Sequence, residues 1–285
     1  MLRARYRRIT WYFFRVLTGL VWWELLCPRI GLGGVSRRTR PERLRRIAVR
    51  FRAMAIQMGG VMIKVGQFLS SRVDVMPPEI THELEGLQDE VAPESFEDIR
   101  QIAEAELGTA LTEKYSYFDP QPLAAASLGQ VHAARLFPND AFSNGAVMGG
   151  ASVNVVVKVQ RPFIEQIIEV DLAAIKRVGK WLRWYKPISS RANIPALLGE
   201  FSRTLYEEID YLAEGRNAET FAINFKHDAG ILVPKVIWTH TTRRVLTLED
   251  VGGIKITDYE RIAEEGIDRK EVGKRLIATN LKQIF

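Results

Sequence analysis

Residues 154–162 read Asn154-Val155-Val156-Val157-Lys158-Val159-Gln160-Arg161-Pro162, a β-branched run that carries one cation and closes on a proline. Such a run predicts a strand over 154–160, and its valines predict burial. A lysine among valines is usually a charge on a strand edge. Held on a buried strand, however, its ammonium must find an anionic partner, because an isolated charge is not tolerated in apolar surroundings. The neighbouring sequence bears on that choice. Before it, Ala124, Ala125 and Ala126 open a predicted strand over 124–136, and a Gly-, Asn- and Ser-rich turn over 137–153 leads into the lysine strand. After it, helical periodicity runs over 163–185 and 194–225, strands are predicted at 231–238 and 244–249, and a last helix starts at residue 269.

Towards the N-terminus the pattern is helical. Thr39, Pro41 and Glu42 predict a helix start with a capping box and an early proline. Leu44, Ile47, Phe51, Met54, Ala55, Met58, Met62, Val65 and Leu69 then recur at three- and four-residue steps, which predicts one long amphipathic helix ending before Pro77 and Pro78. Further helices are expected over 79–88 and from Ser95 to Gly108. The class is therefore α+β, with helices first and a small sheet after them.

The 285 residues are 47% hydrophobic, enough to bury a sizeable core in one or two domains. One cysteine, Cys27, excludes an internal disulfide framework and a cysteine-based zinc site. It reads as a small apolar filler. His82, His132, His227 and His240 show no i,i+4 pairing, so no metal ligand is assigned.

The net charge of +6 conceals an asymmetry: residues 1–54 hold 14 arginines, no lysine and two acids, a net of +12, which leaves the remainder at −6. An arginine-rich end points to a polyanionic surface, lipid headgroups or nucleic acid. Trp11, Tyr12, Phe13, Phe14, Trp22 and Trp23 favour the membrane and make nucleic acid an unexpected partner. Arg15, Glu24 and Arg29 interrupt the tract, so no uncharged run approaches the roughly 18–20 residues that spanning requires. An interfacial segment on an anionic membrane is expected, the alternative being a helix packed on the rest of the protein. No signal-peptide cleavage pattern follows.

Four motifs give this order a family. Lys64-Val65-Gly66-Gln67 with Ser71 and Arg72 is similar to the KxGQ signature of the UbiB/ABC1 (ADCK, AarF) atypical kinases. The run from Pro122 through Ala124-Ala125-Ala126-Ser127-Leu128-Gly129-Gln130-Val131-His132 resembles that family's alanine-rich nucleotide loop. Lys158-Val159-Gln160-Arg161-Pro162 resembles its strand lysine and following turn, and Glu208-Ile209-Asp210-Tyr211 with Glu214 and Asn217 resembles its ExD segment and helix glutamate. The resemblance implies a protein-kinase-like small lobe with a helical N-terminal extension and the large lobe mostly missing. It divides the chain into a basic aromatic membrane-interface segment (1–38), a helical extension with KxGQ (39–118), the small lobe with inserted helices (119–253) and the start of the large lobe (254–285).

Each motif also has a plain physical reading. On a helix Lys64, Gln67 and Ser71 share one polar face. Gly66 in mid-helix costs about 1 kcal/mol against alanine, so another backbone or a ligand is expected close to it. Where protein kinases cover phosphates with glycines, Ala124, Ala125, Ala126 and Ser127 stand here, and alanine disfavours positive φ, so a stiffer loop is expected. Glu208 and Glu214 lie six apart and cannot share a helix face, so at most one faces Lys158. The resemblance favours Glu214, which leaves Glu208 and Asp210 near Lys64. The stretch 249–253 would form the hinge, with Glu249 and Val251 offering backbone groups to adenine. Asp250-Val251-Gly252 and His227-Asp228 read as loops.

Phosphoryl transfer needs a loop Asp, an Asn and a metal-binding Asp, and none can be placed here. The chain is therefore expected to be a fragment whose full-length protein uses ATP or ADP with Mg²⁺, on the resemblance as an ATPase or a small-molecule or lipid kinase supporting isoprenoid quinone biosynthesis. Implied partners are nucleotide, an anionic membrane surface and an isoprenoid lipid or quinone precursor, at the cytoplasmic, inner face of the membrane. The alternative is a non-catalytic, nucleotide-dependent lipid or quinone chaperone on the same scaffold.

Overall fold

A computed structural model describes residues 2–88, 91–138 and 152–284. The chain opens with α1 (Leu2–Leu20), a π-helical turn (Val21–Leu26) and a 3-10 turn (Cys27–Ile30). Then come α2 (Gly33–Met58), α3 (Val61–Ser71), α4 (Pro78–Leu84), a 3-10 turn (Glu85–Gln88), α5 (Phe96–Leu107) and α6 (Leu111–Lys114). Strands β1 (Tyr117–Ala125), β2 (Gly129–Arg135) and β3 (Asn154–Gln160) follow. Helices α7 (Ile164–Leu182), α8 (Lys186–Ser189), α9 (Ile194–Glu208) and α10 (Tyr211–Asn224) separate them from β4 (Val245–Glu249), and α11 (Tyr259–Glu264) and α12 (Arg269–Ile284) close the described chain. The expected α+β class stands.

Several boundaries differ from expectation, each for a local reason. Thr39 is no cap: α2 already starts at Gly33, and the Thr39 hydroxyl donates back to the Val35 carbonyl. The long helix breaks at Gly59 and Gly60, whose φ values of +63° and +56° only glycine adopts without strain. The periodicity passes through this break because both halves bury the same side. Residues 194–225 likewise form two helices, parted where the Asp210 side chain accepts the Ala213 N–H and caps α10. The predicted strand over 124–136 is the end of β1, a turn and β2. Residues 231–238 form one bridge, Val236 to Leu248, in place of a strand. The predicted turn over 137–153 lies mostly outside the described residues.

The sheet is antiparallel in the order β1-β2-β3-β4. Alternation gives β3 two faces. Val155, Val157 and Val159 are buried with Ile99 and Ala103 of α5, Leu111, Tyr115, Ala134 and Val245. Val156 and Lys158 lie on the other face, partly exposed, paired across β2 with Ala133 and Val131. Tyr211, Val236 and Leu246 pack a small cluster on that side, which seats α10 beneath the sheet.

The largest core joins α1, α2, α3, α7 and α9 through residues such as Ile9, Phe51, Met62, Ile63, Ile168 and Leu205. Each such side chain contributes about 1.5–3 kcal/mol on burial. α1 is therefore packed against the protein along its inner side. Its outer side carries Trp11 and Phe14 in solvent, continued by Trp22 and Ile30, which is 62% exposed. Cys27 is buried as expected. No helix among the described residues is long and apolar enough to cross a membrane.

Candidate nucleotide site

Lys158 Nζ donates to both carboxylate oxygens of Glu214, at 2.8 and 2.7 Å, and stands 4.7 Å from the centre of the Tyr211 ring. The pair is only partly covered, with side-chain exposures of 28% and 40%, so an anion can reach the ammonium. Strand β3 fixes the lysine and α10 the glutamate, on an element whose start is set by the Asp210 cap. Glu208, at the end of α9, pairs instead with Lys64 of α3 at 2.8 Å. The six-residue spacing thus splits the two acids between two helices and two lysines. Asp210 serves as the helix cap.

The KxGQ helix is held at a second point. Gln67 Nε2 donates to the Leu87 carbonyl at 3.5 Å, and a Cβ on Gly66 would overlap the Leu87 side chain and come within 3.2 Å of the Phe51 ring. What approaches Gly66 is thus a buried leucine and an aromatic edge, where a backbone or ligand was expected. Ser71 turns back to the Phe68 carbonyl and leaves the polar strip to Lys64 and Gln67. Replacing Gly66 by alanine gains about 1 kcal/mol of helix propensity and loses about 1–3 kcal/mol to overpacking. The overpacking is expected to dominate, because Leu87 is fully buried and cannot swing into solvent. Urea unfolding should show a lowered midpoint; an unchanged one would mean that Leu87 repacks freely.

In the alanine-rich segment, Ala124 and Ala125 end β1, opposite Val131 and Gln130, and Ala126 N–H closes the turn on the Gly129 carbonyl at 2.8 Å. Ser127 is buried, 6% exposed, with its carbonyl against Gly60 at the head of α3, so it faces the helical extension. Gly129 has no room for a side chain: a Cβ would overlap the Tyr211 hydroxyl and lie 2.9 Å from the Val159 carbonyl. That hydroxyl is buried without a hydrogen-bond partner among the described residues, and burial together with Glu214 and Glu208 pushes its ionisation up.

Four side chains brace this turn. Arg161 Nε donates to the Ala126 carbonyl at 3.0 Å, its Nη2 to the Ala92 carbonyl at 2.7 Å, and its Nη1 to the Glu94 carboxylate. Gln130 Oε1 accepts the Glu94 N–H at 2.8 Å. Glu94 carries no signal in the sequence, because its partners lie 36 and 67 residues away. His132 contacts the Asp119 carbonyl at 2.8 Å, and burial holds its pKa down, so it acts as a neutral brace. At the predicted hinge, Glu249 N–H is taken by the Lys235 carbonyl, while Val251 is 39% exposed beyond the strand. Asp250 caps Gly252 N–H and Asp228 pairs with Lys282, both as loop residues. Among the described residues no group of three or more His, Cys, Asp or Glu side chains gathers to hold a metal.

Residues 86–285 match the model of the ABC1 atypical kinase-like domain. An uncharacterized protein of Synechocystis is 38% identical over 242 residues, 85% of this chain and 39% of its own length. ACTIVITY OF BC1 COMPLEX KINASE 8, a chloroplastic Arabidopsis thaliana protein, is 36% identical over 89% of this chain and 32% of its own length. UbiB of Xanthomonas campestris is 37% identical over 83% of this chain and 41% of its own length. The chain thus spans about a third to two fifths of these relatives.

Proposed function

The chain belongs to the ABC1 atypical kinase-like family, and from that premise we propose that its small lobe binds a nucleotide phosphate at Lys158, between the alanine-rich turn and the end of β4. The observation that carries this reading is the two-pronged Lys158–Glu214 pair, which fixes an ammonium at the rim of an open face of the sheet. Val131 and Val156 share that face and offer an apolar surface to a base, with the backbone near Glu249 and Val251 as its edge. Ala124, Ala125 and Ala126 cover the phosphate side. Lys64, Gly66 and Gln67 hold α3 against Glu208 and Leu87, so the helical extension closes one side of the cleft, where a broad acceptor such as a peptide would otherwise enter.

For the whole protein this favours a Mg-nucleotide-dependent ATPase or a kinase acting on a small molecule or lipid, in support of isoprenoid quinone biosynthesis. The arginines and exposed aromatics of the first 38 residues would place it peripherally on an anionic membrane. Bound ATP or ADP would bring the phosphates; this chain's residues orient them and neutralise their charge.

The test is titration of the intact protein with ADP and ATP, with Ala125→Gly beside it. Glycine loosens the strand end that abuts the turn, so the ratio of the two affinities should shift while the fold survives. The same constants for both proteins would remove the alanine-rich turn from the site, and no binding to either would remove the site itself.

A further inference from the structure

Helices α1 and α2 run antiparallel and are tied together along their length. Arg8 donates to Gln57 at one end, Tyr12 Oη to the Ile47 carbonyl at 2.8 Å in the middle, and Ser36 to the Trp23 carbonyl at the other end. Between them lies a bounded groove of about 1090 Å³. Trp11, Tyr12, Val16, Leu20 and Trp23 form its apolar wall on the α1 side, and Arg38, Arg43, Arg46 and Arg50 its basic wall on α2. Gly19 and Ala53 keep it hollow, and a Cβ on Gly19 would meet nothing within 4 Å.

The charges of this groove are incompletely answered. Glu24 is engaged by Arg40, and Glu42 by Arg45 and Arg46. Arg43 lies over the Trp23 ring at 4.7 Å and gives one nitrogen to the Ser36 carbonyl at 3.0 Å. Its Nη2 is buried with no hydrogen-bond partner among the described residues. A buried donor left unpaired is costly and marks a place where an acceptor belongs.

We propose that this groove binds one molecule of a phosphate-headed amphiphile, its chain along the α1 wall and its phosphate taken by Arg43 with Arg38. Guanidinium forks match phosphate oxygens two at a time, which suits a wall built from arginine without lysine. A free inorganic anion would leave the aromatic wall without purpose, and a neutral chain would leave the arginines so. A partner helix, about 10 Å across, needs a trough open at its ends, whereas cross-helix bonds tie this one at both. The volume is that of a large ligand pocket. Neither Lys158 nor Glu214 lines the groove, so the proposal goes beyond the nucleotide reading and stands or falls independently of it.

The experiment uses the intact protein without vesicles and dodecyl phosphate below its micelle concentration, read by calorimetry and by tryptophan fluorescence from Trp11 and Trp23. Saturable one-to-one binding is expected, with inorganic phosphate and dodecyl maltoside at least about tenfold weaker. Gly19→Leu fills the groove where space exists and should weaken binding at least about tenfold without lowering the urea midpoint, and Arg38→Gln should do likewise. Equal affinity for the neutral amphiphile, or indifference to Gly19→Leu, would overturn the proposal. So would binding to anionic vesicles without any to monomeric dodecyl phosphate, which would assign the arginines to a flat membrane contact.

Discussion

Arg5→Ala is expected to cost about 3–5 kcal/mol of stability, the range for breaking a buried ion pair from one side. Arg5 meets Asp171 of α7 through two hydrogen bonds, at 2.6 and 2.7 Å, and Asp171 is completely buried. The same guanidinium donates to the Met58 carbonyl at 2.7 Å and the Gly59 carbonyl at 3.3 Å, where α2 ends and its last carbonyls lack helical partners. One side chain therefore caps α2, shapes the glycine break before the KxGQ helix and neutralises α7. Burial pushes the Asp171 carboxyl above its usual range while Arg5 pulls it back. Removing Arg5 leaves only the upward push. A carboxyl raised in the folded state adds stability that is complete below its unfolded pKa and disappears as pH rises through the folded one. The deficit of Arg5→Ala should thus deepen with rising pH, and Asp171→Asn added to it should recover part of the loss at high pH. Urea unfolding of the variants across pH is the measurement. A deficit that does not change with pH would place its origin in the lost cap and not in the stranded carboxylate.

What the sequence made legible follows a physical division. Ser95 and Gly108 bound α5 as read, because a capping hydroxyl and a left-handed glycine act within one turn. Lys158 was legible as a strand residue because strand propensity and alternation are local. Hydrophobic period alone could not reveal the break at Gly59 and Gly60, since Met58 and Val61 bury towards the same core on both sides of it. The two glycines side by side were the available signal, and the regular run of apolar residues outweighed it. β1 was read short because Pro120 and Pro122 are poor strand formers; they are accommodated where the register with β2 shifts, on an edge strand. The N-terminal aromatics were read as one interfacial set, but a helix at the edge of a core divides such a set: Tyr12 and Phe13 pack inward, and Trp11 and Phe14 stay outside. Glu94 and Asp171 were not legible at all. A charged residue announces nothing until the fold sets its partner beside it, 67 residues away for Glu94 and 166 for Asp171.

The paired lysine carries the second large effect. Lys158→Ala in the intact protein is expected to weaken ADP or ATP binding by about 10- to 100-fold, the equivalent of one charge-assisted hydrogen bond of about 1.5–3 kcal/mol. Stability should barely move. The pair is 28% and 40% exposed, and solvent-screened ion pairs contribute about 0–1 kcal/mol. Circular dichroism and urea unfolding should therefore separate loss of binding from loss of fold. The alanine variant leaves the Glu214 carboxylate facing the position of the phosphates, where it repels them. Adding Glu214→Gln removes that repulsion, so the double variant should bind nucleotide at least as well as Lys158→Ala alone, a non-additivity the double-mutant cycle reads directly. Glu208→Gln gives the contrast. It frees Lys64 of the KxGQ helix and leaves the Lys158–Glu214 pair in place, so its effect should add to that of Lys158→Ala. Losses at Lys158 and Glu214 that simply add would mean the two act independently on nucleotide. Strong coupling between Lys158 and Glu208 would assign the phosphate-facing partnership to the end of α9.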